Sequence, residues 1–160
     1  MFRKMRRSHQ QMPDEQVKEI LNTASYGTLG VIGDGGYPYC VPVNFVYYND
    51  KIYFHCAKSG HKIDAINENS KVSFSVVGEE KVLAEKYTTY YKSVIAFGNA
   101  KVITNDKLKR DAVTALAKKY VPFDDEAIQK EVNAFMKPLC VVEISIDHIT
   151  GKEYKPQKQS

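Results

Sequence analysis

A short polar loop holds the residues with the clearest chemical potential in the chain. Lys58, Ser59, Gly60, His61 and Lys62 follow a β-prone run and precede a helical pattern. Backbone N–H groups at a helix start favour an anion, and the lysines and the histidine can add positive charge. Each charge-assisted hydrogen bond would contribute about 1.5–3 kcal/mol. The loop therefore suits one phosphate dianion, although the same pattern is also typical of a plain strand-to-helix connection.

Other nucleotide and acyl-transfer motifs are absent from the sequence. The loop lacks the G-x-x-x-x-G-K-[ST] spacing of a nucleotide-hydrolysing P-loop. The glycines at 33–36 lack the G-x-G-x-x-G spacing and no helix follows them, so they indicate a hairpin turn. No G-x-S-x-G elbow is present to support a serine nucleophile.

The histidines and cysteines do not form a metal-binding pattern. No two histidines are four residues apart; they stand at His9, His55, His61 and His148. His55 and Cys56 are neighbours on a predicted strand, so their side chains point to opposite faces and cannot share a metal. We expect no metal site. The apolar side of the strand is the predicted place of Cys56, which favours packing over a nucleophilic role.

Composition limits the classes of partner. The chain has 160 residues, of which 43% are hydrophobic and 26% charged, with a formal net charge of +4. We expect one domain over residues 1–160, with an arm at about 1–12 and a tail at 152–160. Part of the positive charge lies in the first seven residues, where it predicts a solvated arm rather than a nucleic-acid contact.

The sequence also predicts a cytoplasmic protein. The basic start has no apolar stretch behind it, so it is not a secretory signal, and no window approaches the roughly 20 apolar residues of a membrane span. We therefore expect no membrane partner. The three cysteines are odd in number and widely spaced, which indicates reduced thiols rather than a disulfide framework.

Periodicity predicts a small antiparallel β-barrel with helices on its outside, a mainly β fold. Pro42 predicts that its strand lies at an edge or contains a bulge, and Gly98 predicts a bend or bulge. Ser59 is the expected cap of a helix, and the polar segment 78–90 is expected to be a long loop. The predicted helices are 13–24, 59–69, 106–120 and 124–136, and the six predicted strands are 28–32, 39–48, 51–57, 71–77, 91–104 and 139–147.

The ordered set of segments resembles a known superfamily. The succession is YGTLGV, DGGYPYCVPVNFVY, KIYFHCAKSGHKIDAI, KVSFSV, TTYYKSVIAFGNAKVI and ITGK. It is similar to the FMN-binding split barrels of pyridoxamine-phosphate-oxidase-like proteins, and within them to the branch related to nitroimidazole resistance (Nim-type). The resemblance implies a six-stranded antiparallel split barrel that forms a homodimer with two FMN sites at the interface.

The resemblance also implies roles for individual residues. The strand that carries Val41, Pro42, Val43 and Asn44 would run beside the flavin ring, with backbone groups at its polar edge. The segment 55–62 would hold the ribityl-phosphate part of FMN, and within it the cofactor-binding candidates are His55, Ala57, Lys58, Gly60, His61 and Lys62.

Within that segment Lys62 matches the phosphate-binding lysine of the family. His61 stands where pyridoxamine-phosphate oxidases usually carry arginine, and imidazole is a weaker, pH-dependent substitute. Ser93 would reach the flavin, often that of the partner subunit. His55 would be the catalytic candidate, a polar group that faces the substrate.

The resemblance carries a functional expectation with one departure. Tryptophan is absent, and so is the C-terminal tryptophan–arginine signature of the true oxidases, so oxidation of vitamin B6 is not expected. The leading hypothesis is an FMN-dependent oxidoreductase for a small planar molecule, most concretely a nitroimidazole or nitroaromatic reductase. The alternative is a flavin- or haem-binding carrier or sensor without turnover of its own.

Overall fold

The computed structural model describes residues 1–121 and 124–154. These residues form seven strands and four helices, with short 3-10 turns at Ser8–Gln10, Asp34–Gly36 and Ala84–Lys86. In chain order the elements are α1 Asp14–Thr23, β1 Tyr26–Ile32, β2 Pro38–Asn44, β3 Val46–Tyr48, β4 Lys51–Ala57, α2 His61–Glu68, β5 Lys71–Leu83, β6 Thr88–Val102, α3 Asp106–Tyr120, α4 Asp125–Phe135 and β7 Leu139–Tyr154.

The strands form one curled antiparallel sheet. Their order is β2-β1-β5-β6-β7-β4-β3, so β2 and β3 lie at its two ends. These two strands are consecutive in the chain and only Phe45 separates them. The ends of the sheet must therefore come together, which curls it into an open barrel. The prediction of a mainly β split barrel with flanking helices is confirmed.

The number of strands differs from the predicted six because the apolar run 39–48 is broken at Phe45. The Phe45 side chain is fully buried, and its ring meets the Phe74 ring edge-on with centroids 5.1 Å apart. Pro42 lies on an edge strand, as predicted, but it pairs with Thr28 in an unbroken register, so the strand has no bulge there.

The segment predicted as a long loop at 78–90 is mostly a hairpin. Strand β5 continues to Leu83 and β6 starts at Thr88, with a register shift between Val77 and Glu79. The predicted irregularity at Gly98 is confirmed by a second register shift at this residue. A Cβ at Gly98 would lie 2.2 Å from the Ser145 carbonyl oxygen, so the close approach of β7 requires glycine.

The helices pack on two hydrophobic cores. The larger core fills the barrel and includes Leu29, Phe54 and Phe74. The second core lies between the outer face of β4 and the helices α3 and α4, and it includes Tyr53, Leu116 and Val132. Side chains of Asn105 and Asp124 cap α3 and α4. Ser59 does not cap α2, because Gly60 occupies that position.

The ends of the chain pack more than expected. The Phe2 ring stacks on the His148 ring with centroids 4.7 Å apart, Met12 is buried, and Gln11 forms a β-bridge with Lys152. Strand β7 extends to Tyr154, so the first residues of the predicted tail belong to the sheet. Residues 155–160 lie outside the described part. Within the described residues, none of the helices is both long and apolar enough to cross a membrane.

Candidate functional site

A cavity of about 340 Å³ opens beside His55. The alternation of β4 buries Ile52 and Phe54 inside the barrel and places His55 on the outer face, beneath α3 and α4. The cavity lies between these helices, the end of β2 and the start of β7, and residues that line it include Asn44, His55, Leu116, Ile128, Phe135 and Leu139. Most of its wall is therefore apolar.

The electrostatics of this cavity favour an uncharged molecule. The His55 side chain is exposed to the cavity, and the surrounding protein lowers its pKa by desolvation, which keeps the imidazole neutral at neutral pH. Among the described residues that line the cavity, Glu131 is the only carboxylate and no lysine or arginine is present. His55 can therefore act as one hydrogen-bonding group in apolar surroundings.

One rim of the cavity is fixed by hydrogen bonds at the break between β2 and β3. The Asn44 amide nitrogen donates to the Ser25 carbonyl oxygen over 2.8 Å. The Tyr120 hydroxyl donates to the same carbonyl over 2.5 Å and accepts the Phe45 N–H over 3.2 Å. These contacts satisfy the backbone where the strand is interrupted, and they hold the C-terminal end of α3 against it.

Lys119 adds a half-buried cation to this junction. Its Nζ donates to the carbonyl oxygens of Leu21, at 3.2 Å, and Phe45, at 3.0 Å, and lies 3.9 Å from the centre of the Phe45 ring. Burial lowers the pKa of Lys119 to about 8. The ammonium group is thus committed to the junction of α1, α3 and the strand break.

The predicted phosphate loop forms the start of α2. Gly60 has φ 133°, a conformation that favours glycine, and its carbonyl oxygen accepts the N–H groups of Ile63 and Asp64 at 2.8 and 3.1 Å. The first N–H groups of a helix have no partner inside that helix. Lys62 is half-buried beside them, and its charge acts on the Cys56 thiol.

His61 is turned towards the β1–β2 turn. Its ring stacks on Tyr39 with centroids 4.3 Å apart, and its Nε2 accepts the Asp34 N–H over 3.3 Å. The same nitrogen lies 3.6 Å from the Asp34 carboxylate. A Cβ at Gly33 would lie 2.8 Å from His61 Nε2, so this contact requires glycine. The predicted role of His61 at a phosphate stays a prediction. Lys62 is better placed for that role, because His61 already contacts Tyr39 and Asp34.

The remaining predicted residues are spread over three strands. Val41 and Val43 pack against the barrel core, whereas Pro42 is exposed on the outer face of edge strand β2. Ala57 ends β4, and Lys58 lines a second cavity beyond it.

Ser93 lies on β6, where it pairs with Val77 of β5 and with Lys152 of β7. Strands β1 and β5 separate it from β2 in the sheet. One chain therefore brings Asn44 and His55 together at one cavity but leaves Ser93 on another part of the sheet.

The wall that α3 and α4 contribute was not predicted as part of a site. The apolar spacing of Leu116, Ile128, Val132 and Phe135 is typical of core-facing helices, and it does not distinguish a packed face from one that also lines a cavity. The hydrogen bond between the Tyr120 hydroxyl and the Phe45 N–H was likewise not predicted, because the two residues are 75 positions apart in the chain.

Comparison with protein families gives a match over nearly the whole chain. The family model described as pyridoxamine 5'-phosphate oxidase matches residues 13–153. Comparison with curated proteins gives no match.

Several solved structures share the fold. A proposed 5-nitroimidazole antibiotic resistance protein from Bacteroides thetaiotaomicron is 23% identical with a TM-score of 0.73, over 89% of this chain and 86% of that one. The conserved hypothetical protein Rv2991 from Mycobacterium tuberculosis is 16% identical with a TM-score of 0.81, over 98% and 97%.

The FAD and haem binding protein from Mycobacterium smegmatis is 21% identical with a TM-score of 0.78, over 94% of this chain and 76% of that one. At these identities the solved structures establish the fold, and the family match extends across every strand of the barrel. The chain belongs to the pyridoxamine 5'-phosphate oxidase family and has the split-barrel fold of the superfamily of that name.

Proposed function

We propose that this protein binds FMN and acts as an oxidoreductase on a small, planar, uncharged molecule. The observation that carries the proposal is the apolar cavity beside His55, which opens next to the end of β2 in a chain of this family. Similar folds include an FAD and haem binding protein and a proposed 5-nitroimidazole resistance protein, which supports a flavin and a nitroaromatic substrate. A nitroaromatic reductase is the most concrete form of the proposal.

The start of α2 has the donors that a flavin phosphate requires. The loop residues Lys58, Gly60 and Lys62 combine backbone N–H groups at a helix start with cationic side chains. Lys62 would make the main charged contact, because His61 is engaged by Tyr39 and Asp34. Asp64, in the first turn of the helix, is the carboxylate that limits the positive charge here.

Strand β2 has a free side along which a flavin ring could lie. Among the described residues β2 pairs only with β1, so one side of its backbone has no strand neighbour. Pro42 has no N–H and cannot recruit another strand by a regular ladder. Backbone groups between Val41 and Asn44 would then contact the polar edge of the ring, and Asn44 would lie where the ring meets the cavity.

A homodimer would complete this site. The middle of the outer faces of β1, β2, β5, β6 and β7 forms one uncharged outer surface of small and mainly apolar side chains, on which Ile95 and Phe97 are 43% and 39% exposed. Its cross-strand rows are Pro42, Thr28, Ser75, Ile95 and Thr150, and Cys40, Gly30, Ser73, Phe97 and His148. No acidic or basic side chain interrupts these rows apart from His148. A second copy of the same surface would cover it without burying unpaired charge.

The protein would supply position and electrostatics to the reaction. A bound flavin provides electron transfer to the substrate. The apolar walls from α3 and α4 would exclude water, and the neutral His55 would hydrogen-bond to the substrate or give it a proton. Ser93, which lies in the next cross-strand row beside Lys152, would reach the flavin of the neighbouring copy.

A second candidate function is a flavin- or haem-binding carrier or sensor. The neutral His55 imidazole in an apolar cavity is also suited to bind haem iron, and one similar structure is an FAD and haem binding protein. Among the described residues that line the cavity, His55 and Glu131 are the only ionisable groups apart from the Tyr120 phenol, and no hydrogen bond or ion pair joins them as an acid–base pair. Under this candidate function the protein would bind flavin or haem and would not catalyse turnover of a substrate.

Anaerobic reaction of the reduced protein separates these two functions. FMN-loaded protein is reduced photochemically without oxygen and mixed with a nitroimidazole, while flavin absorbance is followed. The proposal predicts reoxidation that is faster than that of free reduced FMN and that is lost in His55→Ala. Tight FMN or haem binding with no reoxidation by a panel of nitroaromatics would favour the carrier.

A further inference from the structure

Two of the three cysteines lie side by side on neighbouring strands. Cys56 in β4 and Cys140 in β7 are direct partners in the antiparallel register. Such partners have Cα atoms about 4.5–5.5 Å apart and side chains on the same face, which lies within the range that a disulfide spans. Cys40, the third cysteine, is exposed on β2. This strand lies at the opposite end of the sheet order from β4 and β7.

The two thiols interact in their reduced form. Burial raises the pKa of Cys56 to about 11, and the neighbouring Cys140 thiol adds to the increase through charge and hydrogen bonding. Lys62 acts in the opposite direction. Cys140 is only 6% exposed, and Cys56 is half-buried. The pair is therefore a close dithiol rather than two independent thiols.

A small molecule has a route to one member of this pair, Cys140. A cavity of about 360 Å³ reaches Cys140 and is lined on its outer side by Lys58, Asn67 and Lys109. This rim is polar and cationic, in contrast to the apolar walls of the cavity beside His55. A compact reagent can thus approach Cys140 without unfolding of the barrel.

We propose that Cys56 and Cys140 are a redox-active dithiol, which a low-molecular-weight disulfide oxidises to an intramolecular disulfide. One cysteine sulfur attacks the reagent disulfide, which breaks its S–S bond and releases one reagent thiol. The second cysteine sulfur then displaces the other reagent thiol, so that an Sγ–Sγ bond forms between Cys56 and Cys140. The two protons lost by the cysteines are carried by the two released thiols.

The position of the pair gives this reaction a local consequence. Cys56 is adjacent to His55, Cys140 is adjacent to Leu139, and both of these neighbours line the apolar cavity. A bond between the strands would fix the end of β4 to the start of β7, directly before the loop that leads to Lys62. The proposal requires no flavin, so it stands or falls separately from the proposed function.

Thiol counting with peptide mapping tests the proposal. The folded Cys40→Ser protein is incubated with 2-hydroxyethyl disulfide, alkylated, digested and examined by mass spectrometry. We expect free thiols to fall from two to none, with a cross-linked peptide pair that contains Cys56 and Cys140 and that dithiothreitol separates. In Cys40→Ser/Cys56→Ala, the reaction should stop at a mixed disulfide on Cys140, the cysteine that the cavity reaches.

Two outcomes would overturn the proposal. One is that both thiols stay fully alkylatable after a treatment that converts Cys40 of the unmodified protein into a mixed disulfide. The other is that only mixed disulfides form and no cross-linked pair appears. If the Cys40→Ser variant does not fold, peptide mapping of the unmodified protein gives the same decision, because the cross-linked pair is identified directly.

Discussion

At the residue scale, the proposed function divides between Lys62 and His55. Lys62 stands at the start of α2, beside backbone N–H groups that have no hydrogen-bond partner within the helix. There its ammonium group can contact a phosphate. His55 stands seven residues earlier, in apolar surroundings that keep its imidazole neutral. The two residues are therefore suited to different parts of a flavin site, one to the anchoring of the cofactor and the other to the substrate.

Replacement of Lys62 should weaken FMN binding. We expect Lys62→Ala to lower FMN affinity by about one to two decades, the scale of one charge-assisted hydrogen bond. Fluorescence titration of the folded protein measures the change. Lys107→Ala removes an exposed lysine from α3 and should leave the affinity unchanged. Equal affinities for the unmodified protein and Lys62→Ala would mean that the phosphate binds elsewhere.

The His55 imidazole should titrate at a lower pH than a histidine in an unstructured peptide. Desolvation disfavours its charged form, so its pKa is lowered. NMR of the imidazole nitrogens during a pH titration measures this, with His55→Gln to assign the signal. Since the unfolded chain takes up the proton more readily, this residue makes the fold less stable as pH falls through the unfolded-state pKa. A midpoint at or above the peptide value would contradict the desolvated position.

At the element scale, the junction of α3 with the β2–β3 break holds the cavity in shape. The Tyr120 hydroxyl binds backbone groups of Ser25 and Phe45, and Lys119 binds the carbonyls of Leu21 and Phe45. Three elements thus meet at a point where the sheet has no ladder of its own. The side chains supply the hydrogen bonds that a continuous strand would have made.

Loss of the Tyr120 hydroxyl should destabilise this junction. We expect Tyr120→Phe to lower the free energy of unfolding by about 1–3 kcal/mol, because the Phe45 N–H loses its partner. Urea unfolding of both proteins gives the difference. Tyr37→Phe is the matched control, since Tyr37 is 78% exposed and its loss of a hydroxyl should change stability by less than about 0.5 kcal/mol. Equal effects of the two substitutions would contradict the role of the junction.

Local patterns predicted most elements, and the exceptions have physical causes. The spacing of Val17, Ile20 and Leu21 in α1 and the alternation of β4 are local properties and were predicted correctly. The extended β5–β6 hairpin was not, because Glu79, Glu80 and Lys81 show no alternation of apolar residues in a ladder that is exposed on both faces. Its pairing depends on the register with β6.

The candidate site was predicted in part for the same reason. Local sequence located the polar loop and the place of His55 on its strand, but the surroundings of each residue come from distant segments. His61 is engaged by Tyr39 and Asp34, and the His55 cavity takes its walls from α3 and α4. Cys140 lies opposite Cys56 only through the pairing of β4 with β7. Such contacts have no signature in the spacing of one chain segment.

At the scale of the whole molecule, a buried carboxylate joins strands that are distant in sequence. Glu143 on β7 is fully buried and lies 2.9 Å from Lys51 Nζ, 3.3 Å from Lys101 Nζ and 3.0 Å from the Tyr53 hydroxyl. Burial alone would raise the pKa of Glu143, but hydrogen bonds from Lys51, Tyr53 and Lys101 outweigh it and hold the pKa below its ordinary value. The ionised form is thus favoured in the folded protein.

Acid should remove the contribution of Glu143 to stability. Its folded pKa lies below the unfolded one, so its contribution is present above the unfolded pKa and is lost as pH falls through the folded pKa. We expect Glu143→Gln to lower the free energy of unfolding at neutral pH by about 1.5–3 kcal/mol, with a smaller difference in acid. Urea unfolding at several pH values tests this, with exposed Glu126→Gln as control. A difference that does not vary with pH would be the contrary result.

The uncharged outer surface should hold two chains together. Ile95 is an exposed apolar residue in the middle of this surface, so a carboxylate there would be buried without a partner in a dimer. We expect a dimer by light scattering for the unmodified protein and a shift towards monomer for Ile95→Glu. Lys107→Glu introduces the same carboxylate on α3 and should stay dimeric. A monomeric unmodified protein that binds FMN fully would contradict a site at the interface.

Equilibrium titration with FMN decides whether the folded dimer holds the proposed cofactor site. The purified, folded protein is dialysed against FMN at increasing concentration, and bound flavin is counted against chains, with light scattering on the same samples. The proposed site predicts saturable binding of one FMN for each chain, with bound flavin on the dimer and with weaker binding by Lys62→Ala. Absence of saturable FMN binding by the folded dimer would contradict the proposed site.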